Sequence, residues 1–285
     1  MPATVSIALC TYNGQRFLEL QLESLLAQTV KPDELVVCDD ASSDRSVEII
    51  EAFARRAPFP VRVWRNARNL GYVRNFEQAI SHCTQDLVFL CDQDDLWDPH
   101  KIEILQGLFE SEPAVGLCLH DFVRINAEGG HYENELELYG ERQLRSVDLP
   151  EEIRHHSIRA FMAPYPRAWC GCMMAFRRDF AAVALPIYPG KGHDDWLLKV
   201  IAPLTEVRFH PSALVRYRIH TTNTNSQEVG HSAWSVFVRK LRRRLDNLRR
   251  GYSKKNFYRL VLDRIATSDR AVRRPELLEM YRRYT

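Results

Sequence analysis

The sequence predicts an α/β fold in which a mostly parallel β-sheet carries helices on both faces. Four strand-like runs, each followed by a helical pattern, succeed one another over residues 5–112. Polar motifs follow these runs directly, as ligand-binding loops do at the carboxyl ends of parallel strands. With 285 residues, of which 45% are hydrophobic, the chain is large enough for one such domain and an appendage.

Short apolar runs rich in β-forming residues mark the predicted strands. In chain order they are residues 5–10, 34–38, 61–64, 86–91 and 115–122. Apolar residues at helical spacing between them predict helices near residues 17–26, 47–53, 76–80 and 99–112. We expect Ser42 or Ser43 to cap the second of these helices.

Beyond residue 125 the pattern is less regular. Residues 126–160 have the composition of loops and a hairpin. Further strands are predicted at residues 169–176 and 213–217, and a helix is predicted at residues 194–202.

The last segment is strongly basic. Residues 231–285 hold 16 Lys/Arg and 5 Asp/Glu, although the net charge of the whole chain is +2. Apolar residues at helical spacing among arginines predict a basic amphipathic helix near residues 233–255. Such a helix either rests on an anionic membrane surface or packs on the protein with its basic face in solvent. No recognition motif supports a nucleic-acid partner.

The cysteine pattern favours reduced thiols. The seven cysteines are odd in number, and most lie in or beside apolar runs, so we expect no disulfide framework. Cys170 and Cys172 have the spacing of half a zinc site, but no second pair accompanies them, which favours ordinary packing. The sequence lacks a signal-peptide pattern and an apolar stretch of ~20 residues, so we expect a cytoplasmic protein.

Acidic residues crowd the end of the fourth predicted strand. Asp92, Asp94 and Asp95 fall within four positions. Close carboxylates repel one another unless a cation lies between them, and Mg²⁺ or Mn²⁺ prefers such oxygen ligands. The alternative is a solvated acidic turn, but the neighbouring apolar Leu90 and Trp97 imply partial burial and favour the metal site.

Other polar motifs allow two interpretations each. Asp39 and Asp40 could accept hydrogen bonds from a nucleotide base or ribose, or cap a helix. Residues 11–14 and 69–75 could approach a nucleotide and its phosphates, or form surface turns. Asp194 and Asp195 could supply a general base of raised pKa, or cap a helix.

Taken in order, these motifs resemble those of the family 2 inverting glycosyltransferases. The resemblance rests on TYNG, DDASSD, NLGYVRN, DQDDLW, WCGCMMAFRR, GHDDW and YRIHTTN, which lie within residues 3–225. It is strongest with bacterial members that add rhamnose or other sugars to cell-surface polysaccharides. It implies a nucleotide-diphospho-sugar transferase fold of the GT-A, Rossmann-like type. A catalytic domain would cover residues 1–225, and residues 226–285 would form a basic helical appendage.

The resemblance also implies roles for individual residues. A UDP- or dTDP-linked donor would contact Thr11, Tyr12, Asn13, Asp39, Asp40, Asn69, Arg74 and Asp92. Asp94, Asp92 and His220 would hold a divalent ion, Mn²⁺ or Mg²⁺, and His220 also matches a histidine that closes over the pyrophosphate in related enzymes. Asp194 matches the catalytic base. Many relatives carry a Glu-Asp pair at this point, so the assignment stays open between Asp194 and Asp195.

The expected function is transfer of a sugar such as rhamnose to a glycan or lipid-linked acceptor in one inverting displacement. A nucleotidyltransferase would need a glycine-rich loop and a lysine after the first strand, where only Gly14 stands. A phosphatase would need an aspartate in place of Thr11, and no G-x-G-x-x-G motif supports a dinucleotide enzyme. The non-enzymatic alternative is an inactive scaffold that binds sugar nucleotides.

Overall fold

One mixed sheet organises the protein, for which a computed structural model describes residues 2–130, 170–220 and 253–285. The strands are β1 (Val5–Thr11), β2 (Glu34–Asp39), β3 (Val61–Arg65), β4 (Leu87–Cys91), β5 (Leu96–Trp97), β6 (Val115–Ile125), β7 (Met174–Arg177) and β8 (Glu206–Arg218). Their order is β3-β2-β1-β4-β7-β6-β8-β5. Only β7 and β5 run antiparallel to their neighbours.

Helices cover both faces of this sheet. They are α1 (Leu18–Leu26), α2 (Ser46–Ala54), α3 (Tyr72–His82), α4 (Lys101–Ser111), α5 (Ala181–Ala184), α6 (His193–Ile201), α7 (Lys254–Ala266) and α8 (Pro275–Arg282). Helices α1, α2 and α4 share a core with Ile7 and Leu9 of β1. Helices α3 and α6 share the opposite core with Ala8 and Cys10. Burial on both faces explains why β1 is apolar throughout.

The two carboxyl-terminal helices belong to the second core. Phe257 of α7 is buried, and its ring centroid lies 5.7 Å from that of Trp196 on α6 and 5.5 Å from that of Tyr188. Tyr281 of α8 is also buried, and its hydroxyl donates to the Lys199 carbonyl at 3.2 Å. The appendage therefore contributes apolar side chains to the same core as the sheet. The expected boundary at residues 225 and 226 lies outside the described residues.

The strand order places a crevice beside β1. After β1 the chain builds β2 and β3 on one side and then returns to form β4 on the other. Strand order thus reverses between β1 and β4, and ligands bind at such switch points, outside the carboxyl ends of the strands. Thr11 ends β1 and Cys91 ends β4, so the residues that follow them flank this crevice.

The α/β fold and the four β-loop-α units are confirmed, whereas some local expectations are wrong. Helix α2 begins only at Ser46 without a side-chain cap, and Ser42 Oγ donates to Asp39 Oδ2 at 2.5 Å instead. Residues 171–173 form a 3₁₀ turn, so strand β7 starts at Met174. Strand β8 is longer than predicted, and the two-residue strand β5 was not predicted.

Two expectations concern residues that the structure leaves largely undescribed. Of the loops and hairpin expected over residues 126–160, the part from residue 131 onward lies outside the described residues. Of the basic helix expected over residues 233–255, residues 233–252 lie outside them too. Among the described residues, no helix is both long and apolar enough to cross a membrane.

Candidate functional site

Gln93 links the two sides of the crevice. Its Oε1 accepts from the Tyr12 amide at 2.8 Å, and its Nε2 donates to the Tyr12 carbonyl at 3.1 Å. Gly14 makes this contact sterically possible, because a Cβ atom at that position would overlap the Gln93 carboxamide. The loop after β1 and the acidic segment after β4 are therefore held together by a two-point hydrogen bond.

The loops after β1 and β2 are joined in a similar way. The Asn13 amide donates to Ser42 Oγ at 2.9 Å, and Asn13 Oδ1 accepts from the Ser43 amide at 2.8 Å. Asn13 has a φ of 47°, in the left-handed region that asparagine tolerates better than most residues. Asn13 thus shapes the crevice wall, and its contact with a donor stays a prediction.

Asp39 and Asp40 are buried and hydrogen-bonded within the protein. Asp39 accepts from Thr11 Oγ1 and from the Ser42 amide, both at 2.9 Å. Asp40 accepts from Asn66 Nδ2 and from the amides of Leu70 and Gly71, all at 2.8 Å. The two carboxylates fix the loops that border the crevice, and direct contact with a donor base or ribose stays a prediction.

The loop held by Asp40 carries the remaining predicted donor contacts. Asn69 is exposed in this loop. Arg74, in the first turn of α3, donates to Glu77 Oε1 at 2.7 Å and to Glu77 Oε2 at 2.8 Å. Because this ion pair leaves the Arg74 side chain 42% exposed, the guanidinium remains accessible to an anion.

Asp95 is the most deeply buried member of the acidic cluster. Its Oδ1 accepts from the Arg218 amide at 3.0 Å, while Arg218 Nε donates to the Asp94 carbonyl at 2.8 Å. Its Oδ2 receives no hydrogen bond of normal geometry from the described residues. Buried carboxylate oxygens are rarely left in this state unless a proton or a cation satisfies them.

Asp94 and His220, both predicted metal ligands, are in contact. His220 Nε2 lies 2.9 Å from Asp94 Oδ2, and both side chains are largely buried. The imidazole ring packs against Phe17 with the ring centroids 4.6 Å apart. The segment that follows β8 therefore places a histidine at the acidic cluster, and its role as a metal ligand stays a prediction.

The cluster is electrostatically unbalanced. Burial is the largest cause of the strongly raised pKa of Asp92, and three nearby carboxylates add to it, those of Asp95, Asp94 and Asp194. Burial and the Asp94 carboxylate raise the pKa of Asp95 to about 7, although the neighbouring Cys172 thiol and the Arg218 amide oppose the shift. A bound cation would favour the ionised form of both groups.

Two thiols lie beside these carboxylates. Asp92, Asp95 and Cys172 each place one ligand atom within 4.8 Å of the others, and Cys170 Sγ is 3.0 Å from Cys172 Sγ. Gly171 separates the two cysteines and packs so closely on the His193 ring that a Cβ atom would overlap it. His193 is in turn stacked on Phe76 at 3.9 Å, which fixes this segment against α3.

Lys101 is a buried positive charge next to the cluster. Its Nζ donates to the Cys172 carbonyl at 2.7 Å and lies 3.7 Å from the centroid of the Trp97 ring. Burial lowers the pKa of Lys101 to about 8, while the acidic groups around it oppose that shift. Lys101 thus positions the Cys172 peptide and only partly offsets the negative charge of Asp95.

Asp194 and Asp195 face different parts of the protein. Asp194 is close enough to contribute to the raised pKa of Asp92, and its Oδ1 accepts from the Asp195 amide at 2.8 Å. Asp195 pairs with Lys199 one helical turn later and adds to the raised pKa of Tyr258 and Tyr281, for which burial is the main cause. Only Asp194 therefore borders the acidic cluster.

Comparison with known sequences decides the family. Residues 6–182 match the model of glycosyl transferase family 2. The chain belongs to this family. It is 27% identical over 227 residues to an uncharacterized glycosyltransferase of Nostoc, an alignment that covers 78% of this chain and 66% of that relative's length.

Solved structures show that this family 2 member has the nucleotide-sugar transferase fold of the GT-A type. A structure of TarS residues 1–349 from S. aureus in complex with UDP-GlcNAc superimposes with a TM-score of 0.60 at 15% identity, covering 99% of this chain and 72% of that one. The mannosyltransferase PcManGT of Pyrobaculum calidifontis, in complex with GDP-Man and Mn²⁺, gives 0.57 at 16% identity, covering 100% and 74%.

Some residues of this family 2 site were not singled out from the sequence. They are Lys101 and Arg218, whereas Gln93 and Asp95 belong to the acidic motif without a predicted role of their own, and Cys172 was considered only as half of a zinc site. The sequence could have indicated Lys101, because a lysine on the buried face of a helix is unusual. Cys172 lies in the 3₁₀ turn before β7 and Arg218 ends β8, so only the sheet order brings these distant segments to the end of β4.

The pKa of Asp95 predicts a pH-dependent stability in the presence of a metal chelator. Its folded-state pKa of about 7 exceeds the unfolded value of about 4, so protonation stabilises the folded protein as the pH falls from 8 to 5.5. We expect Asp95→Asn to raise the melting temperature relative to the wild type at pH 8. This difference should shrink by at least about 2 °C at pH 5.5.

Asp86→Asn is the matched control for this measurement. Hydrogen bonds from Thr4 lower the pKa of Asp86, so its contribution is constant between pH 5.5 and 8. Calorimetric melting of the three proteins checks the prediction. A difference between Asp95→Asn and wild type that does not change with pH would show that Asp95 is ionised throughout.

Proposed function

We propose that this chain is an inverting glycosyltransferase that moves a sugar from a nucleoside-diphosphate donor to a glycan or lipid-linked acceptor in cell-surface polysaccharide synthesis. The observation that carries the proposal is the cluster of buried or half-buried carboxylates after β4, at the switch point between β1 and β4, where the Asp94 and Asp194 carboxylates both help to raise the pKa of Asp92. The membership of family 2 supports the transferase chemistry. The order of the sequence motifs supports rhamnose or a related sugar as the transferred group.

The nucleoside would lie against the loops after β1 and β2. Tyr12 exposes 48% of its surface there, so its ring can stack on a pyrimidine base of a UDP- or dTDP-linked sugar. Thr11, Asn13, Asp39 and Asp40 would shape the pocket for the base and ribose, and Asn69 and Arg74 would lie toward the phosphates. Structural neighbours in complex with UDP-GlcNAc and GDP-Man support a nucleotide-sugar donor.

The acidic cluster fits a hard divalent ion, Mn²⁺ or Mg²⁺. Asp95 Oδ2 is buried without a regular hydrogen bond from the described residues, and burial with carboxylate repulsion raises the pKa of Asp92. Both observations point to a missing positive charge among oxygen ligands. Asp94 and Asp92 would hold the ion, with His220 beside Asp94. When bound, it would neutralise the charge that develops on the leaving diphosphate.

Asp194 is the proposed general base. Its carboxylate accepts the proton of the acceptor hydroxyl, whose oxygen then forms a bond to the anomeric carbon of the sugar. The bond from that carbon to the phosphate oxygen breaks, and its electron pair leaves with the nucleoside diphosphate. Because the hydroxyl attacks the face opposite the phosphate, the anomeric configuration inverts, as in inverting glycosidases.

Donor turnover tests the proposed function. With Mn²⁺ or Mg²⁺ and no acceptor, we expect slow release of nucleoside diphosphate from one UDP- or dTDP-sugar, because water can replace the acceptor hydroxyl. Proton NMR of the first sugar released should show the inverted anomer before it equilibrates. Binding of donors without any turnover would instead favour an inactive scaffold, and a retained configuration would exclude a single displacement.

The adjacent aspartates of α6 test the base assignment. We expect Asp194→Asn to lower kcat by roughly 10²- to 10⁴-fold with little change in the KM of the donor, since a general base acts only in the chemical step. Asp195→Asn is the matched control and should keep kcat within a few-fold, because Asp195 pairs with Lys199. Steady-state kinetics of both variants decide, and the opposite ranking would assign the base to Asp195.

We further propose that the basic segment of residues 233–255 brings the enzyme to an anionic membrane surface that carries a lipid-linked acceptor. Each arginine near such a surface contributes about 1 kcal/mol. We therefore expect flotation with anionic liposomes to be lost in a variant with Arg242, Arg243 and Arg244 replaced by alanine. Equal flotation with neutral liposomes, or none at low salt, would refute this proposal.

A further inference from the structure

The thiols of Cys170 and Cys172 have no role in the proposed sugar transfer, yet they lie beside the carboxylates of the acidic cluster. Cys172 is fully buried and Cys170 partly so, and their sulfurs are 3.0 Å apart. The Cys172 sulfur and one carboxylate oxygen each from Asp92 and Asp95 all lie within 4.8 Å of one another. One thiol and two carboxylates therefore border one small volume, and the second thiol lies directly beside the first.

We propose that Cys170, Cys172, Asp92 and Asp95 form a second metal site, which takes a thiophilic divalent ion such as Zn²⁺ or Cd²⁺. Asp95 supplies the observation that points to a ligand, since its buried Oδ2 receives no regular hydrogen bond from the described residues. A Cys-x-Cys segment supplies two of the four ligands of a tetrahedral site. Asp92 and Asp95, which follow strand β4 about 80 residues earlier in the sequence, supply the other two.

The donor set selects this class of ion. Thiolates prefer Zn²⁺ and softer ions, whereas Mg²⁺ and Mn²⁺ prefer oxygen ligands alone. Two sulfurs bound to one tetrahedral zinc lie about 3.8 Å apart, given Zn–S bonds of about 2.3 Å. Binding therefore requires the partly buried Cys170 side chain to rotate from its present position, in which the two sulfurs are 3.0 Å apart. Each thiol releases its proton to solvent as the metal–sulfur bond forms.

The surrounding residues fit a site with several anionic ligands. Two thiolates and two carboxylates exceed the charge of a divalent ion, and Lys101 supplies a neighbouring positive charge from its hydrogen bond to the Cys172 carbonyl. Gly171 holds both cysteines close to the His193 ring, so the backbone between the sulfur ligands is fixed before any ion binds. This preorganisation lowers the entropic cost of binding.

Sharing of Asp92 makes the two metal sites mutually exclusive. A thiophilic ion on Asp92 removes a ligand from the Mn²⁺ or Mg²⁺ proposed for transfer, so zinc would inhibit the enzyme. This consequence rests on the proposed function, whereas the binding itself does not. The site would thus make a glycosyltransferase sensitive to free zinc.

Cadmium titration of the whole chain tests the site directly. Thiolate-to-cadmium charge transfer in the ultraviolet reports sulfur ligands without any need for catalysis. In buffer without thiols and under argon, we expect the band of the wild type to saturate at one Cd²⁺ per chain. It should fall by about half in Cys170→Ser and disappear in Cys170→Ser/Cys172→Ser, while Asp95→Asn should keep the band and bind at least about tenfold more weakly, because it loses a ligand.

Cys83→Ser is the matched control, because this buried thiol directly follows α3 and precedes β4, so its replacement should leave the titration unchanged. A band that persists in the double variant, or that does not saturate at one equivalent, would overturn the proposal. Should Cys172→Ser fail to fold by circular dichroism, the partly exposed Cys170 still provides the deciding variant.

Electron paramagnetic resonance of Mn²⁺ separates this proposal from the proposed function. We expect added Cd²⁺ to release bound Mn²⁺ from the wild type but not from the double cysteine variant. If no Mn²⁺ binds while the cadmium band is present, the hard-ion assignment fails and the thiolate site stands. Mn²⁺ and Cd²⁺ bound together would show that Asp92 is not shared.

Discussion

The structure depends on one electrostatic constraint, the burial of several carboxylates where β4 ends. Asp92, Asp94 and Asp95 follow a strand that is apolar on both faces, so the chain cannot turn them all to solvent. Unpaired buried charges destabilise a fold strongly. The neighbouring elements therefore carry groups that offset this repulsion, namely Arg218 and His220 of the β8 region and Lys101 of α4.

These compensating groups leave a defined deficit of positive charge. Lys101 is engaged by the Cys172 carbonyl, and Arg218 reaches Asp95 through its backbone amide and the Asp94 carbonyl through its guanidinium. Neither side chain forms a direct ion pair with Asp92 within the described residues. The metal ion proposed for the transfer would supply positive charge at this point.

The sequence was sufficient for the parts of the fold that local patterns encode. Strand β1 and the Asp92 cluster were predictable because a buried strand is apolar throughout and ligand-binding residues follow it directly. The cap expected at Ser42 is wrong, since the Ser42 hydroxyl donates to Asp39 instead, and no local pattern shows this competition. The contact of Cys172 with Asp95 depends on β7 being inserted antiparallel beside β4, and no local pattern encodes the pairing of distant strands.

The choice between Asp194 and Asp195 shows how the carboxyl-terminal helices bear on the chemistry. Successive residues of a helix point about 100° apart, so α6 cannot direct both carboxylates into the crevice. Trp196 packs against Phe257 of α7, and this contact fixes the rotation of α6 about its axis. Asp195 is thereby turned toward Tyr258 and Tyr281, and Asp194 toward Asp92. The packing of α7 on α6 is therefore consistent with Asp194, rather than Asp195, bordering the acidic cluster.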